Sequence, residues 1–465
     1  MASIETQGPS AAQKLYFAAW RWHFYAGLFV IPFLLMLAVT GFFMMLFTTY
    51  LPEYGDRLAV TPGAQVLTPE AQVQAAMAAV PGATGVTEYI TPYDAETPAR
   101  LTVTAEAGDM VVALNPYDGT VLRQTLDGDT WNLFFETIHG TLMIGTLGDR
   151  LIEIATGLGL VMVVTGLYLW WPRNGAGIAS LLVPQLAAKG RAFWKSLHQV
   201  TGFWISIVLV FFLITGLSWA GVWGEKFVQA WSTFPAEKWD NVPLSDATHA
   251  SMNHDGTKEV PWGLEQTPMP ESGSAVGVQI LAPGTPVTLD SIVLLGRTVG
   301  LEGRFRVAVP ADDTGVWTIS QDSMSYDTPD PTGDRTLHVD QFTGKVLADV
   351  RYADYGLAAK AMAVGIALHE GQMGLWNFVL NTLFCLAVVL VCVSGVVMWW
   401  VRRPAGAARL AAPPMPADVP LVKGAVVIVL ALSLMFPLVG LTLAVVLALD
   451  ILVVQNLPQL KRALS

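Results

Sequence analysis

The chain is short of charge and of cysteine. Only 14% of its 465 residues are Asp, Glu, Lys or Arg, where a soluble protein carries about a quarter. Mean hydropathy is +0.49, and the apolar residues come in blocks, the pattern of a polytopic membrane protein. The two cysteines, Cys385 and Cys392, share one apolar run and one helix face, which suits small core residues. None remains for a disulfide framework or a CxxC redox site. No strand–GxGxxG–helix unit, Walker loop, HExxH motif or serine triad occurs, so the dinucleotide, nucleotide and hydrolase chemistries those motifs serve have no footing. With a net charge of −11, no nucleic-acid partner is expected.

What is present is a set of apolar runs long enough to cross a bilayer: Phe24–Phe47, Leu151–Trp171, Gly202–Gly221 and Leu375–Val401. A further region, Ala425–Val454, is interrupted by Pro437 and Gly440 and reads either as a hairpin or as one kinked helix. Arg173, Lys189, Arg191 and Lys195 mark the loop after the second run as cytoplasmic, and Arg402, Arg403 and Arg409 do the same after the fourth. Both long connections are acidic and fall on the periplasmic side. The organisation expected is a first span over 14–47, a periplasmic domain over 48–149, a span over 150–173 and a cytoplasmic loop over 174–195. A third span (196–221), a second periplasmic domain (222–368), a fourth span (369–401), a loop (402–420) and a C-terminal hydrophobic helix or hairpin (421–456) complete it. The cytoplasmic loops are too short for a flavin domain.

Both long connections read as mixed α/β. Leu101–Leu114 alternates and meets the turn Asn115–Leu122; Arg335–Val339 meets Asp340–Leu347. In each a strand enters a Gly-containing turn and a second strand follows. That recurrence leads to an internal repeat. His23, Gly27 and Thr40-Gly41 stand at the same offsets as His198, Gly202 and Thr215-Gly216, in the pattern H-x3-G-x12-T-G. Likewise His139-x3-Met143, Thr165-Gly166 and Trp170-Trp171 match His369-x3-Met373, Ser394-Gly395 and Trp399-Trp400, one residue apart in length. The chain therefore reads as two units, 14–173 and 191–403.

The repeat sets four histidines at two depths, His23 with His198 at the cytoplasmic side and His139 with His369 at the periplasmic side. A single histidine at a membrane interface is more often a hydrogen-bonding or snorkelling residue than a ligand. Two facing imidazoles near hydrocarbon nevertheless suit a metal. Zinc wants four protein ligands and finds no cluster to complete them, whereas haem needs two axial ligands and brings its own four nitrogens. Gly27, Gly41, Gly166, Gly202, Gly216 and Gly395 would let a helix or a macrocycle approach closely, or serve ordinary helix packing. Met143 and Met373 are alternative axial ligands or pack beside a ring, and the four tryptophans belong to the interfacial belt. His249-x4-His254, with Asp246 and Asp255 nearby, could bind a metal but reads better as a solvated loop.

The segment Leu368-His369-Glu370-Gly371-Gln372-Met373-Gly374-Leu375-Trp376, the Ser394-Gly395-x3-Trp399-Trp400 ending and the Asp340–Leu347 turn resemble the PepSY-associated transmembrane proteins over nearly the whole chain. The resemblance implies an internally duplicated, polytopic α-helical fold, a four-helix haem-binding bundle with two periplasmic PepSY-like α/β inserts, in the bacterial inner membrane. It implies two b-type haems with His23, His139, His198 and His369 as iron ligands. It also implies electron transfer to Fe(III) in a periplasmic siderophore; with no flavin or dinucleotide domain in the chain, the electrons would come from a cytoplasmic reductase or membrane quinol. Membrane lipid and a second copy of the chain are the other partners expected. The rival reading is a non-enzymatic membrane scaffold whose PepSY-like domains bind a periplasmic partner.

Overall fold

Every apolar run of the sequence becomes a helix in the computed structural model, which describes residues 10–173, 179–239, 241–253, 260–403, 410–413, 423–454 and 456–464. The chain divides into two compact units. One comprises Met1–Phe42, Thr137–Phe227 and Leu380–Ser465; the other comprises Phe43–Glu136 and Val228–Val379.

The helical elements, in chain order, begin with α1 (Ala11–Thr49), α2 (Pro69–Ala79), α3 (Trp131–Thr141), α4 (Thr146–Trp170), α5 (Ala179–Leu182) and α6 (Gly190–Leu217). They continue with α7 (Gln229–Ser232), α8 (Leu289–Thr298), α9 (Leu357–His369), α10 (Leu375–Arg402), α11 (Lys423–Met435), α12 (Pro437–Leu449) and α13 (Pro458–Ala463). Among them α1, α4, α6 and α10 are long and apolar enough to span a membrane. The protein is a membrane protein with four such helices among the described residues, at the positions the sequence indicates.

Within the first unit the helices pack through small and aromatic residues. Phe203 of α6 stacks on Trp170 of α4, centroids 4.1 Å apart, and Phe212 of α6 stacks on Phe384 of α10 at 4.4 Å. Cys392 is buried beside Ala38, Phe384 and Val388, with Cys385 at the margin, so both cysteines are core residues. The C-terminal region resolves as a hairpin. Gly440 of α12 lies against Ser433 of α11, a Cβ at Gly440 falling 2.9 Å from the Ser433 carbonyl oxygen. Residues seven apart on a continuous helix would be separated by about 10 Å. Pro437 cannot donate to the helical ladder, and at this break the Met435 carbonyl accepts from the indole of Trp223 at 2.9 Å.

The second unit is built on one antiparallel sheet. Its strands are β1 (Ala83–Ile90), β2 (Ala99–Ala105), β3 (Gly108–Leu114), β4 (Val121–Leu126), β7 (Arg306–Ala308), β8 (Val316–Gln321), β9 (Arg335–Asp340) and β10 (Val346–Arg351). A separate ladder joins β5 (Leu244–Thr248) to β6 (Pro268–Pro270). The order β10-β9-β8-β7-β1-β2-β3-β4 runs the same four-strand meander outward from a central β1–β7 pair. The two inserts expected as separate domains therefore share a sheet: pairing β1 with β7, through Glu88–Ala308, Tyr89–Val307 and Ile90–Arg306, removes two open edges at once. The stretch Leu101–Leu114, expected as one strand, is a hairpin of β2 and β3, because Gly108 turns the chain at φ +111°. The turns Asn115–Thr120 and Asp340–Lys345 are closed alike, with Gly119 and Gly344 at φ +76° and +67°.

Strand alternation gives the sheet two unlike faces. Tyr89, Leu101, Val103, Phe305, Val307, Ile319, Leu337 and Val339 form the core with Val73 and Ala76 of α2 and Ile292 and Leu295 of α8. On the other face lie Glu88, Thr102, Arg306, Thr318, Ser320, Thr336 and His338, all buried. The helices α2 and α8 are joined at their N-termini: the Glu70 amide donates to Asp290 at 2.8 Å, and the Leu289 amide to Glu70 at 3.3 Å.

Candidate functional site

His23 projects from α1 and His198 from α6, and their rings meet in the first unit with centroids 6.4 Å apart and planes at 85°. Each ring is tied down through Nδ1. His23 Nδ1 lies 3.0 Å from Thr165 Oγ1 of α4. His198 Nδ1 lies 3.0 Å from the Val391 carbonyl and 3.2 Å from Ser394 Oγ of α10. His139, on α3, repeats the arrangement, with Nδ1 2.8 Å from Thr40 Oγ1 of α1.

These partners fix the tautomer. A carbonyl only accepts, so His198 Nδ1 carries the proton. The hydroxyls of Thr165 and Thr40 donate to carbonyls one turn back, Val161 and Met36, both at 2.8 Å. Having spent their single proton, they too accept from Nδ1–H. In all three rings Nε2 therefore holds a lone pair, the state a metal-binding imidazole needs, with its other nitrogen oriented by a second group. Outside the spans, burial also lowers the His139 imidazole to a pKa of about 4, which keeps it neutral at ordinary pH.

The glycine after each hydroxyl residue completes the seat. A Cβ at Gly166 would stand 3.1 Å from His23 Cε1, at Gly41 3.3 Å from His139 Cε1, and at Gly395 3.4 Å from His198 Cε1. Thr-Gly or Ser-Gly is thus a histidine cradle on the neighbouring helix. The sequence shows these glycines at fixed offsets but not what they face. Gly27 differs, touching Met162, and Gly202 faces open space.

The fit to a haem can be tested on the ring spacing. A coordinating nitrogen lies about 2 Å from a metal and roughly 1 Å more from its ring centre, so two imidazoles on opposite sides of one ion place their centroids about 6 Å apart. His23 and His198 meet that spacing with both Nδ1 atoms engaged elsewhere. The donor set fits a bis-imidazole haem.

The remaining predicted residues fall in different places. His369 closes α9 in the second unit, and its pairing with His139 rests on the repeat alone. Beside it, burial and the Glu136 charge push the Glu370 carboxyl up to about 8, where Gln372 donates to it at 2.6 Å. Met143 is 58% exposed in a left-handed turn. Trp170 and Trp399 each donate an indole N–H to a following carbonyl, Leu181 and Leu410, while Trp171 and Trp400 are exposed; only the second of each pair suits an interfacial belt.

His249 corrects the reading of a solvated loop. It is fully buried, its Nε2 lies 2.9 Å from Nε2 of His338, and its Nδ1 donates to the Thr267 carbonyl at 2.7 Å. His254 and Asp255 lie outside the described residues. Alternation along β9 is the signal that turns His338 to the same face, but nothing in the sequence pairs it with a residue 89 positions away. Among the described residues no group of three or more His, Cys, Asp or Glu is arranged to hold a metal ion.

A family model described as the PepSY-associated TM region matches residues 20–402. No curated protein matches the chain.

Proposed function

The chain belongs to the PepSY-associated transmembrane family, and from that premise we propose that it is an inner-membrane electron-transfer reductase, holding b-type haem between paired histidines and reducing Fe(III) in a periplasmic siderophore. The observation that carries this reading is the approach of His23 to His198, 6.4 Å between centroids with crossed planes and both Nδ1 atoms tied to acceptors.

Bound haem would supply the one-electron couple. The chain's own contribution is to hold two neutral imidazoles at fixed orientation. Thr165 and the Val391 carbonyl keep the proton on Nδ1, so neither Nε2 lone pair is lost to a hydrogen bond. Gly166 and Gly395 leave each ring room to seat against a neighbouring helix. Exclusion of water from the bundle would hold the local dielectric low, which is one lever on the potential of a buried redox group. By the repeat, His139 and His369 form the second pair, His139 being seated on Thr40 and Gly41 as His23 is on Thr165 and Gly166. A cytoplasmic reductase or a membrane quinol is the proposed donor, since the sequence holds no other redox machinery. The matching meanders on either side of the β1–β7 pair support the duplicated organisation on which the pairing rests.

The test is the purified full-length protein. It should be red, with a low-spin bis-histidine spectrum and two haems per chain. His23→Ala or His198→Ala should remove one haem, and His139→Ala or His369→Ala the other. A colourless preparation from haem-sufficient cells would end this reading.

A further inference from the structure

The internal repeat runs past the histidines to the ends of the spans. Tyr16 stands seven residues before His23, and Arg191 seven before His198; Arg173 stands eight after Thr165, and Arg402 eight after Ser394. Folding brings each set together. Arg173 lies over the Tyr16 ring at 4.7 Å and the Tyr168 ring at 4.5 Å, and it donates to the Tyr168 carbonyl at 2.6 Å. At the equivalent place in the other half, the charge that acts on Arg402 is Arg191. One half seats its arginine on a tyrosine; the other sets it against a second arginine.

Two guanidiniums repel, and neither can shed its proton. No nearby acid in sequence offsets them, because residues 172–195 and 402–417 contain no Asp or Glu. Topology accounts for basic residues at this end of the spans, but not for two brought side by side. Their position is equally specific. The Arg402 guanidinium lies 5.2 Å from the Trp20 ring and 5.5 Å from the Phe24 ring, the residues that flank His23 along α1. Arg191 shares a face of α6 with His198, two turns and about 10 Å away along the axis. The pair thus adjoins both helices that bring His23 and His198 together. Arg402 donates to the Ala411 carbonyl at 2.5 Å, which anchors the guanidinium and leaves other N–H donors of its fork for a ligand.

We infer that Arg191 and Arg402 form the carboxylate-binding end of this site, pairing with the propionates of a haem held by His23 and His198. The inference rests on the haem reading and names the residues that orient the group. A haem carries two propionates on one edge, and the guanidinium fork matches a carboxylate. Two carboxylates balance two guanidiniums, so the repulsion between the arginines is relieved when the group binds. The half that carries Tyr16 offers no such pair, which gives the macrocycle one preferred rotation between otherwise equivalent helices.

The experiment uses the full-length His139→Ala chain in detergent, so that only the His23–His198 seat remains. Stripped of haem, it is titrated with haem and with haem dimethyl ester, whose propionates carry no charge; absorbance reports both affinity and ligation. The ester should bind about tenfold or more weakly than haem, the loss expected of charge-assisted hydrogen bonds. Arg191→Gln and Arg402→Gln should each narrow that ratio, and the two together should bring it near one with the low-spin spectrum unchanged. Arg402→Lys, which keeps the charge without the fork, should fall between. Arg191 is exposed, so its single variant separates binding from folding. Arg173→Gln should keep the full ratio. Equal affinity of the His139→Ala chain for haem and ester would overturn the inference and leave the haem reading standing, as would a ratio that the double variant preserves. A chain that binds neither form would end both.

Discussion

The hydroxyls of Thr40, Thr165 and Ser394 each donate to their own helix backbone and accept from a histidine on another helix. The prediction at this scale is direct. Thr165→Val keeps the shape but removes the acceptor for His23 Nδ1–H, freeing the ring to change tautomer. Loss of such an outer partner costs about 10- to 100-fold in metal affinity. Haem titration into the apoprotein should show a drop of that order, with Thr165→Ser close to wild type. Equal affinity in Thr165→Val would mean that the hydroxyl does not set the tautomer. Gly166→Val should be more severe, because its branched side chain begins 3.1 Å from His23 Cε1; haem content of the purified variant measures it. The four histidines and the offsets of the glycines were legible in the sequence. The seat was not, since Thr165 and His23 are 142 positions apart and meet only through helix packing.

At the level of elements, periodicity and punctuation located the four spans, but punctuation alone does not fix an angle. Pro437 and Gly440 indicate a break and leave hairpin and kink equally open. The contact of Gly440 with Ser433 decides for a hairpin. Gly440→Val places two methyl groups in that contact. Overpacking of this kind costs about 1–3 kcal/mol, and protease sensitivity of the C-terminal region should rise accordingly, with Gly440→Ala intermediate. A Gly440→Val chain as resistant as the wild type would indicate that α11 and α12 do not close on each other. The run Leu101–Leu114 shows the same limit in a strand. Alternation continues across Gly108, so the pattern survives the turn that divides it.

On the scale of the whole molecule, the buried imidazoles set a pH window. Burial lowers His249 to about 4, against an unfolded value of about 6.5. Its neutral form is favoured by folding, so its contribution is complete above 6.5 and is lost as pH falls through 4. The stability at stake is roughly 3 kcal/mol. Trp239 packs 6.0 Å from both His249 and His338, so its fluorescence should report acid opening of this region. His249→Gln should remove its share of the acid sensitivity between pH 6.5 and 4, leaving that of the equally buried His338, and an unchanged acid midpoint would count against the His249 imidazole as a source.

The central β1–β7 pair has a consequence for synthesis. Ile90 and Arg306 are partners, yet about 200 residues separate them in the chain. At roughly 5–20 residues per second, the ribosome needs on the order of 10–40 s to make the second strand after the first. Throughout that interval β1 is the open edge of a finished four-strand meander. Its protection then falls to the buried charge pair of Glu88 with Arg100 of the same meander, 3.8 Å apart, a polar edge that disfavours docking by a neighbouring nascent chain until Arg306 joins Glu88 at 3.2 Å.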